Sequence, residues 1–294
     1  MTLAIRQVGP CFAGEVEGID MRKPLTPDEV AAIHAGMDRH AVLVFRDQKI
    51  DDTQQLAFTR SLGEIEQAIG TSLRAAGDYR LPTTFADLSN LDRKNAPFAR
   101  DDRRRLFAIG NRLWHSDSSF KATPAKYSLL RAVRLPSKGG DTQFADMRAA
   151  YDALDEETKA QVEDLVCEHS QMFSRQLIGF FDFTDEERER FRPVRQRLVR
   201  THPVTGRKSL YLSSHAGSIV GWPVPEARGF LRDLVEQATQ REFVYIHKWR
   251  TGDLVMWDNR QTMHRARPFP VDEPRDMRRT TLAGDGPTVA QAAA

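Results

Sequence analysis

The chain has few of the residues that hold small secreted folds together. Only two cysteines, Cys11 and Cys167, occur in 294 residues, far apart in sequence. They form no Cys-x-x-Cys pair and no zinc-ribbon spacing. That excludes a disulfide framework and fits a reducing cytoplasm. An excess of charge of one sign is also missing. With 43 Lys and Arg against 41 Asp and Glu, the formal net charge is +2. Nucleic-acid binders usually show a strong basic excess, so no nucleic-acid partner is expected. No apolar run approaches the roughly 20 residues of a membrane span, and the first residues show no basic-then-apolar leader pattern. Internal repeats are absent. These absences point to a cytoplasmic globular protein with no membrane partner, long enough to bury a full core.

What is present is a succession of short elements. Thr26-Pro27-Asp28-Glu29 predicts a helix start, with Thr26 as N-cap and Glu29 reaching back in a capping box. Val30, Ile33 and Met37 follow at helical spacing. Residues 41–45 read as a buried strand, and 51–62 as a second helix capped by Asp51 or Asp52. Further strands are predicted near 85–88, 127–135, 142–144, 243–249, 254–257 and 277–282. A hairpin joins 198–202 to 208–212 across Pro203-Val204-Thr205-Gly206, and helices are predicted over 147–166, 184–191 and 224–240. Short strands with polar turns and a few covering helices predict a mainly β fold, a sandwich or jelly roll. Residues 64–105 differ. They hold Gly70, Gly77, Pro82, Pro97 and many charges, and end in Arg100-Asp101-Asp102-Arg103-Arg104-Arg105. They read as a solvated loop or as a lid, since long ordered loops are uncommon without function. The expectation is one domain over 1–294 with an active-site lid at about 64–105.

Of the eight histidines, His115 stands in His115-Ser116-Asp117. At a strand end, residues two apart project on one face, so an imidazole and a carboxylate can reach the same point. A third ligand has to come from elsewhere, and His264 is the best placed, after a strand that runs into Asp258-Asn259-Arg260. Two imidazoles and one carboxylate with open positions suit a non-haem Fe(II) oxygenase. A lone His-x-Asp also occurs as an ordinary structural pair. Arg275, Arg278 and Arg279 follow, and arginine binds carboxylates bidentately. Strand alternation puts Arg275 and Arg279 on one face and Arg278 on the other, as a solvated residue. His34, His40 and His169 read as structural or solvated. His202, His215 and His247 lie on strand-like segments. Among them His215, in a stretch of small polar residues, best suits a pocket wall. Neither cysteine has an activating partner, so no thiol nucleophile is expected.

Five motifs occur in order: Trp114-His115-Ser116-Asp117-Ser118-Ser119-Phe120, Gly139-Gly140-Asp141-Thr142, Ala145-Asp146-Met147-Arg148-Ala149-Ala150-Tyr151, His202-Pro203-Val204-Thr205-Gly206-Arg207-Lys208, and Trp257-Asp258-Asn259-Arg260 through His264. On these, and nearly end to end, the sequence resembles the TauD/TfdA family of Fe(II)- and 2-oxoglutarate-dependent dioxygenases. The wording around His115 and Gln240-Arg241-Glu242-Phe243-Val244-Tyr245 is most similar to the 2,4-dichlorophenoxyacetate (aryloxyalkanoate) branch.

The resemblance implies a double-stranded β-helix, or jelly-roll, core. It implies iron ligands at His115, Asp117 and His264, and 2-oxoglutarate contacts at Thr142 and Arg275. Arg279 would take the anionic group of the substrate, with Asn111 and Phe120 lining the cavity beside His215. The cofactor would be Fe(II), with 2-oxoglutarate and O2 as co-substrates. The partner would be a small organic anion. An aryloxyacetate would yield a phenol and glyoxylate, with succinate and CO2 from the co-substrate. A homo-oligomer, dimer or tetramer, is expected. Three alternatives remain: the same chemistry on taurine, another alkylsulfonate or a sulfate ester; a zinc-dependent hydrolase on the same triad; and a non-catalytic cupin-like binding protein.

Overall fold

A computed structural model describes residues 3–68, 73 and 79–289. Strands β1 (Ala4–Gln7) and β2 (Gly14–Glu17) precede helix α1 (Pro27–His40). That helix starts as the sequence requires: Thr26 accepts the Glu29 N–H, and the Glu29 carboxylate accepts the Thr26 N–H. Strand β3 (Val42–Phe45) is wholly buried. Helix α2 (Asp52–Leu62) begins at Asp51, which forms a second capping box with Gln54. After β4 (Ala86–Asp87) and α3 (Arg103–Ala108) come β5 (Tyr127–Arg134), β6 (Thr142–Asp146), α4 (Met147–Asp152), α5 (Glu156–Val162) and β7 (Val166–His169). Helices α6 (Gln171–Leu177) and α7 (Asp185–Arg190) lead to β8 (Val194–Arg197), β9 (Val199–Thr201), β10 (Lys208–Leu210) and β11 (Ala216–Ile219). Helix α8 (Val224–Ala238), β12 (Val244–His247), β13 (Leu254–Asp258), β14 (Thr262–Ala266) and β15 (Asp276–Thr281) complete the order.

The core is a jelly roll. Its major sheet runs β1-β2-β3-β13-β5-β15-β4, with β2 and β3 parallel and the other neighbours antiparallel. Its minor sheet is β12-β6-β14, antiparallel throughout. Alternation sorts the major-sheet side chains. Leu43, Phe45, Leu129, Leu254 and Met256 pack on Ile33, Met37, Phe58 and Leu62 of the covering helices. Val44, Leu130, Val255, Trp257 and Met277 point the other way, onto Phe144 and Tyr245 of the minor sheet. Because both faces are buried, β3 and β13 read as unbroken apolar runs. The outer face of the minor sheet, Ala145 and Met263, packs on α4 and α8 through Met147, Leu231 and Leu234.

Several expectations change. The predicted helix over 147–166 is two helices, because Asp155 caps α5 and restarts the chain, and Val166 opens β7. Cys167, just past the predicted helix, is buried on that strand. Helix α6 and strand β14 carry no clear periodic signal, since α6 turns polar Gln171, Ser174 and Arg175 inward. Arg278 does lie on the face opposite Arg279, but it is paired rather than solvated: it donates to Asp276 at 2.9 Å and to Asp52. Part of the expected lid, 69–72 and 74–78, lies outside the described residues. Among the described residues no helix is long and apolar enough to cross a membrane.

Candidate active site

His115 does not sit in a regular strand. A single bridge pins it to β14: its N–H donates to the His264 carbonyl at 3.0 Å, and the His264 N–H donates back at 2.8 Å. The two rings come within 4.2 Å of each other, centre to centre. Three residues on, Ser118 takes a left-handed backbone (φ 55°) that turns the chain immediately after Asp117. The ligand atoms of His115, Asp117 and His264 then all lie within 4.8 Å of one another, and all three residues are buried.

Hydrogen bonds orient this trio. Nδ1 of His115 lies 2.8 Å from the Leu113 carbonyl, so it carries the proton and leaves the Nε2 lone pair free for a metal. The Asp117 N–H donates to Asn259 Oδ1 at 3.1 Å, and Asp117 Oδ2 accepts from Ser128 Oγ at 2.8 Å. Asn259 also accepts from Trp257 Nε1 and donates to Ser128 Oγ, both at 3.0 Å. Arg279 Nη1 donates to Asp117 Oδ1. Burial alone would raise the Asp117 carboxyl, but the Arg279 guanidinium, helped by the Ser128 hydroxyl, holds it below the usual carboxylate range. Burial lowers both His115 and His264, favouring the neutral imidazole that binds metals.

A cavity of about 220 Å³ opens on these atoms. His115, Asp117 and His264 line it, as do Asn111, Phe120, Thr142, His215, Arg275 and Arg279. The tertiary structure thus brings all nine residues singled out in the sequence to one chamber. Leu73, Tyr79, Phe85 and Phe98 bring the 64–105 segment into its wall. His202 and His247 do not line it. His202 is buried against Arg260 (2.7 Å) and Asp258 (3.4 Å), and His247 against Asp253 (3.1 Å) and Tyr245 (3.2 Å).

The Gly-Gly turn has a geometric reason. Gly139 and Gly140 take φ of +72° and +76°, and a Cβ on Gly139 would meet the Pro268 carbonyl oxygen at 2.4 Å. This tight path lets the Gly140 carbonyl accept from Arg275 Nη2 at 3.3 Å. The Arg275 backbone N–H is held by Asn90 Oδ1 at 2.8 Å, its Nε is unpartnered, and Phe269 packs on the guanidinium. Burial lowers its pKa to about 10. Thr142 Oγ1 accepts from Trp249 Nε1 at 3.0 Å, leaving its own hydroxyl proton for an acceptor in the cavity. Two neutral nitrogens and a carboxylate oxygen fit a first-row divalent metal with open positions, and a buried guanidinium beside a free hydroxyl fits a carboxylate.

Three participants escaped the sequence. Ser128 is an inward residue of an apolar strand. Asn259 belongs to the Trp257-Asp258-Asn259-Arg260 motif, but its contact with Asp117 is not legible there. Arg175, on α6, lines the cavity with nothing in its local sequence to mark it.

Comparison with known proteins agrees with this geometry. The family model described as Taurine catabolism dioxygenase TauD, TfdA family, matches residues 4–281. The alpha-ketoglutarate-dependent 2,4-dichlorophenoxyacetate dioxygenase of Cupriavidus pinatubonensis is 43% identical, over 97% of this chain and 99% of its own. The (S)-phenoxypropionate/alpha-ketoglutarate-dioxygenase of Delftia acidovorans is 36% identical over 96% of each chain. The crystal structure of AAD-2 in complex with Mn(II) and N-oxalylglycine has a TM-score of 0.96 at 60% identity, covering 98% of this chain and 100% of that one. With likeness of this degree along its whole length, the chain belongs to the TauD/TfdA family and is an Fe(II)- and 2-oxoglutarate-dependent dioxygenase.

Proposed function

We propose that this dioxygenase hydroxylates the carbon between the ether oxygen and the carboxylate of an aryloxyacetate or a near relative. The observation that carries this reading is the cavity: Phe98, Phe107 and Phe120 offer apolar walls for an aryl ring, while buried guanidinium groups face the same space as the triad. The named activities of the relatives, on 2,4-dichlorophenoxyacetate and (S)-phenoxypropionate, support it.

In this reading His115, Asp117 and His264 would hold the metal, a three-residue ligand set that would leave room for a co-substrate beside it. Bound there, Fe(II) with 2-oxoglutarate and O2 supplies the oxidising power for C–H hydroxylation. Arg275 and Thr142 hold the far carboxylate of 2-oxoglutarate. Arg279 keeps Asp117 ionised and aimed, and its unpartnered Nε remains for a bound acid. The phenylalanine walls keep water from the reacting carbon and seat the ring beside the metal. The product of hydroxylation is a hemiacetal. Its bond to the aryloxy oxygen breaks and the hydroxyl proton passes to that oxygen, giving a phenol and glyoxylate beside succinate and CO2.

A substrate panel read by succinate and phenol release tests this. Purified protein given Fe(II) should release phenol from aryloxyacetates, in step with succinate. Turnover of taurine or an alkyl sulfate, with none of any aryloxyalkanoate, would overturn the reading.

A further inference from the structure

One wall of the cavity rests on very little backbone pairing. Strand β4 is two residues long and forms an edge of the major sheet, with Ala86 opposite Arg279 and Asp87 opposite Arg278 on β15. A ladder that short holds weakly, since strands usually run to about 3–10 residues. Yet Phe85, Ala86, Leu88 and Asn90 all face the chamber. Arg80 supplies what the ladder lacks. Its Nε and Nη2 donate to the two oxygens of Asp87, both at 2.9 Å. Its Nη1 and Nη2 donate to the two oxygens of Asp276, at 3.0 and 2.7 Å. Nη1 also reaches Asn95 Oδ1 at 3.3 Å. The side chains of Arg80, Asp87 and Asp276 are at most 8% exposed. One buried guanidinium thus forks onto two carboxylates, one on each strand. Forked pairs fix direction as well as distance, which a lysine ammonium cannot do.

The two strands joined this way serve the two ends of the chamber. Asp276 directly follows Arg275. Three residues past Asp87, Asn90 takes the Arg275 N–H on Oδ1 at 2.8 Å and returns its own N–H to the Arg275 carbonyl at 3.3 Å. The Leu88 N–H donates to the Met277 carbonyl at 3.1 Å, and the Leu88 carbonyl accepts from Arg275 Nη1 at 3.5 Å. A slip of β4 along β15 would break these contacts together. It would shift the Phe85–Asn90 wall and release Arg275 in one movement. Arg80 does not itself line the cavity, so whatever it does for bound acids it does through these neighbours. Asp276 has a second cation in Arg278 at 2.9 Å, and Asp87 accepts from Ser89 Oγ at 2.6 Å, so neither carboxylate depends on Arg80 alone.

We propose that Arg80 is a positioning residue for the reaction: by forking onto Asp87 and Asp276 it sets the register of β4 on β15, and so seats the co-substrate arginine Arg275 and the apolar wall for the prime substrate as one unit. This rests on the roles given above to Arg275 and to the aryl cavity. It ties the binding of two different acids to one ion cluster outside the chamber.

The test pairs amide hydrogen exchange with calorimetry on the full chain. In Arg80→Met, exchange at the Leu88 and Asn90 amides should quicken about 10-fold or more, while the β13 amides exchange as in wild type. N-oxalylglycine binding to the Mn(II)-loaded protein, and then 2,4-dichlorophenoxyacetate binding, should each weaken about 3–30-fold, with Mn(II) affinity unchanged. Arg80→Lys keeps the charge without the double fork and should recover only part of each loss; should Arg80→Met fail to fold, it gives the same readings on a folded chain. Unchanged exchange at Leu88 and Asn90 overturns the proposal. So does faster exchange with wild-type affinity for N-oxalylglycine, which would make the cluster structural only. An equal loss of Mn(II) affinity, or full wild-type behaviour of Arg80→Lys, overturns it as well. If wild type binds no 2,4-dichlorophenoxyacetate, the substrate reading falls by itself, and exchange and N-oxalylglycine binding still decide the role of Arg80.

Discussion

Asn259 offers the sharpest check on how the metal centre is organised. Its amide is buried, accepts from the Asp117 N–H and Trp257 Nε1, and donates to Ser128 Oγ, the group that in turn holds Asp117 Oδ2. Asn259→Ala leaves two buried donors without an acceptor. Each costs about 1–3 kcal/mol, so the loss should be about 2–6 kcal/mol, reduced if water enters the space. That is a large part of the roughly 5–15 kcal/mol that stabilises a domain. The metal should suffer as well, because Asp117 loses its backbone anchor and Ser128 is freed to turn. Loss of such supporting contacts typically lowers metal affinity about 10–100-fold. Asn259→Asp is the informative companion. It keeps the acceptor but cannot donate to Ser128, and it sets a second carboxylate beside Asp117. It should keep more stability than the alanine variant yet bind metal poorly. Denaturant unfolding of the metal-free protein and Mn(II) titration measure the two effects separately. A stability within about 0.5 kcal/mol of wild type, the range of an ordinary surface change, together with unchanged Mn(II) affinity, would refute the reasoning.

Arg275→Met should raise the KM for 2-oxoglutarate about 10–100-fold, with little change in the KM for the prime substrate. A larger effect on the prime substrate would contradict the assignment. Gly139→Ala should cost at least about 1–2 kcal/mol from the left-handed backbone alone, more from the collision with Pro268, and should raise the 2-oxoglutarate KM as Arg275 loses its carbonyl partner. Wild-type unfolding and KM would show that the turn is not needed. Asp258 tests pH dependence. Burial alone would raise its carboxyl, but Arg260, His202 and Gln261 hold it below the usual range. A depressed native pKa stabilises fully above the unfolded value of about 3.9, and that share is lost as pH falls through the native value. Asp258→Asn should therefore be less stable at pH 7 and lose less on acidification below about pH 4. An unchanged acid limb in denaturant midpoints would count against this.

Legibility in the sequence followed how local each constraint is. The caps at Thr26 and Asp51, the apolar runs of β3 and β13, and the Gly-Gly turn are each set by a few adjacent residues, and each is where the sequence places it. His115 and Asp117 were legible because two residues of spacing already limit where their side chains meet. Of His202, His215 and His247, all on strand-like segments, the sequence favours His215 for a pocket wall only through its small polar neighbours. What separates them is distant: Asp258 and Arg260 for the first, Asp253 for the third, and the open cavity for the second.

By itself the sequence determined the chemistry available: two imidazoles, one carboxylate and a set of arginines, ordered along a chain whose strands bury both faces. Only the tertiary structure decided which arginine is already neutralised. Arg279 meets Asp117, while Arg275 and Arg175 meet none among the described residues, because a charge is balanced by what folding brings near it in space. The field of a buried guanidinium depends on distance and desolvation, and neither is written in the order of residues.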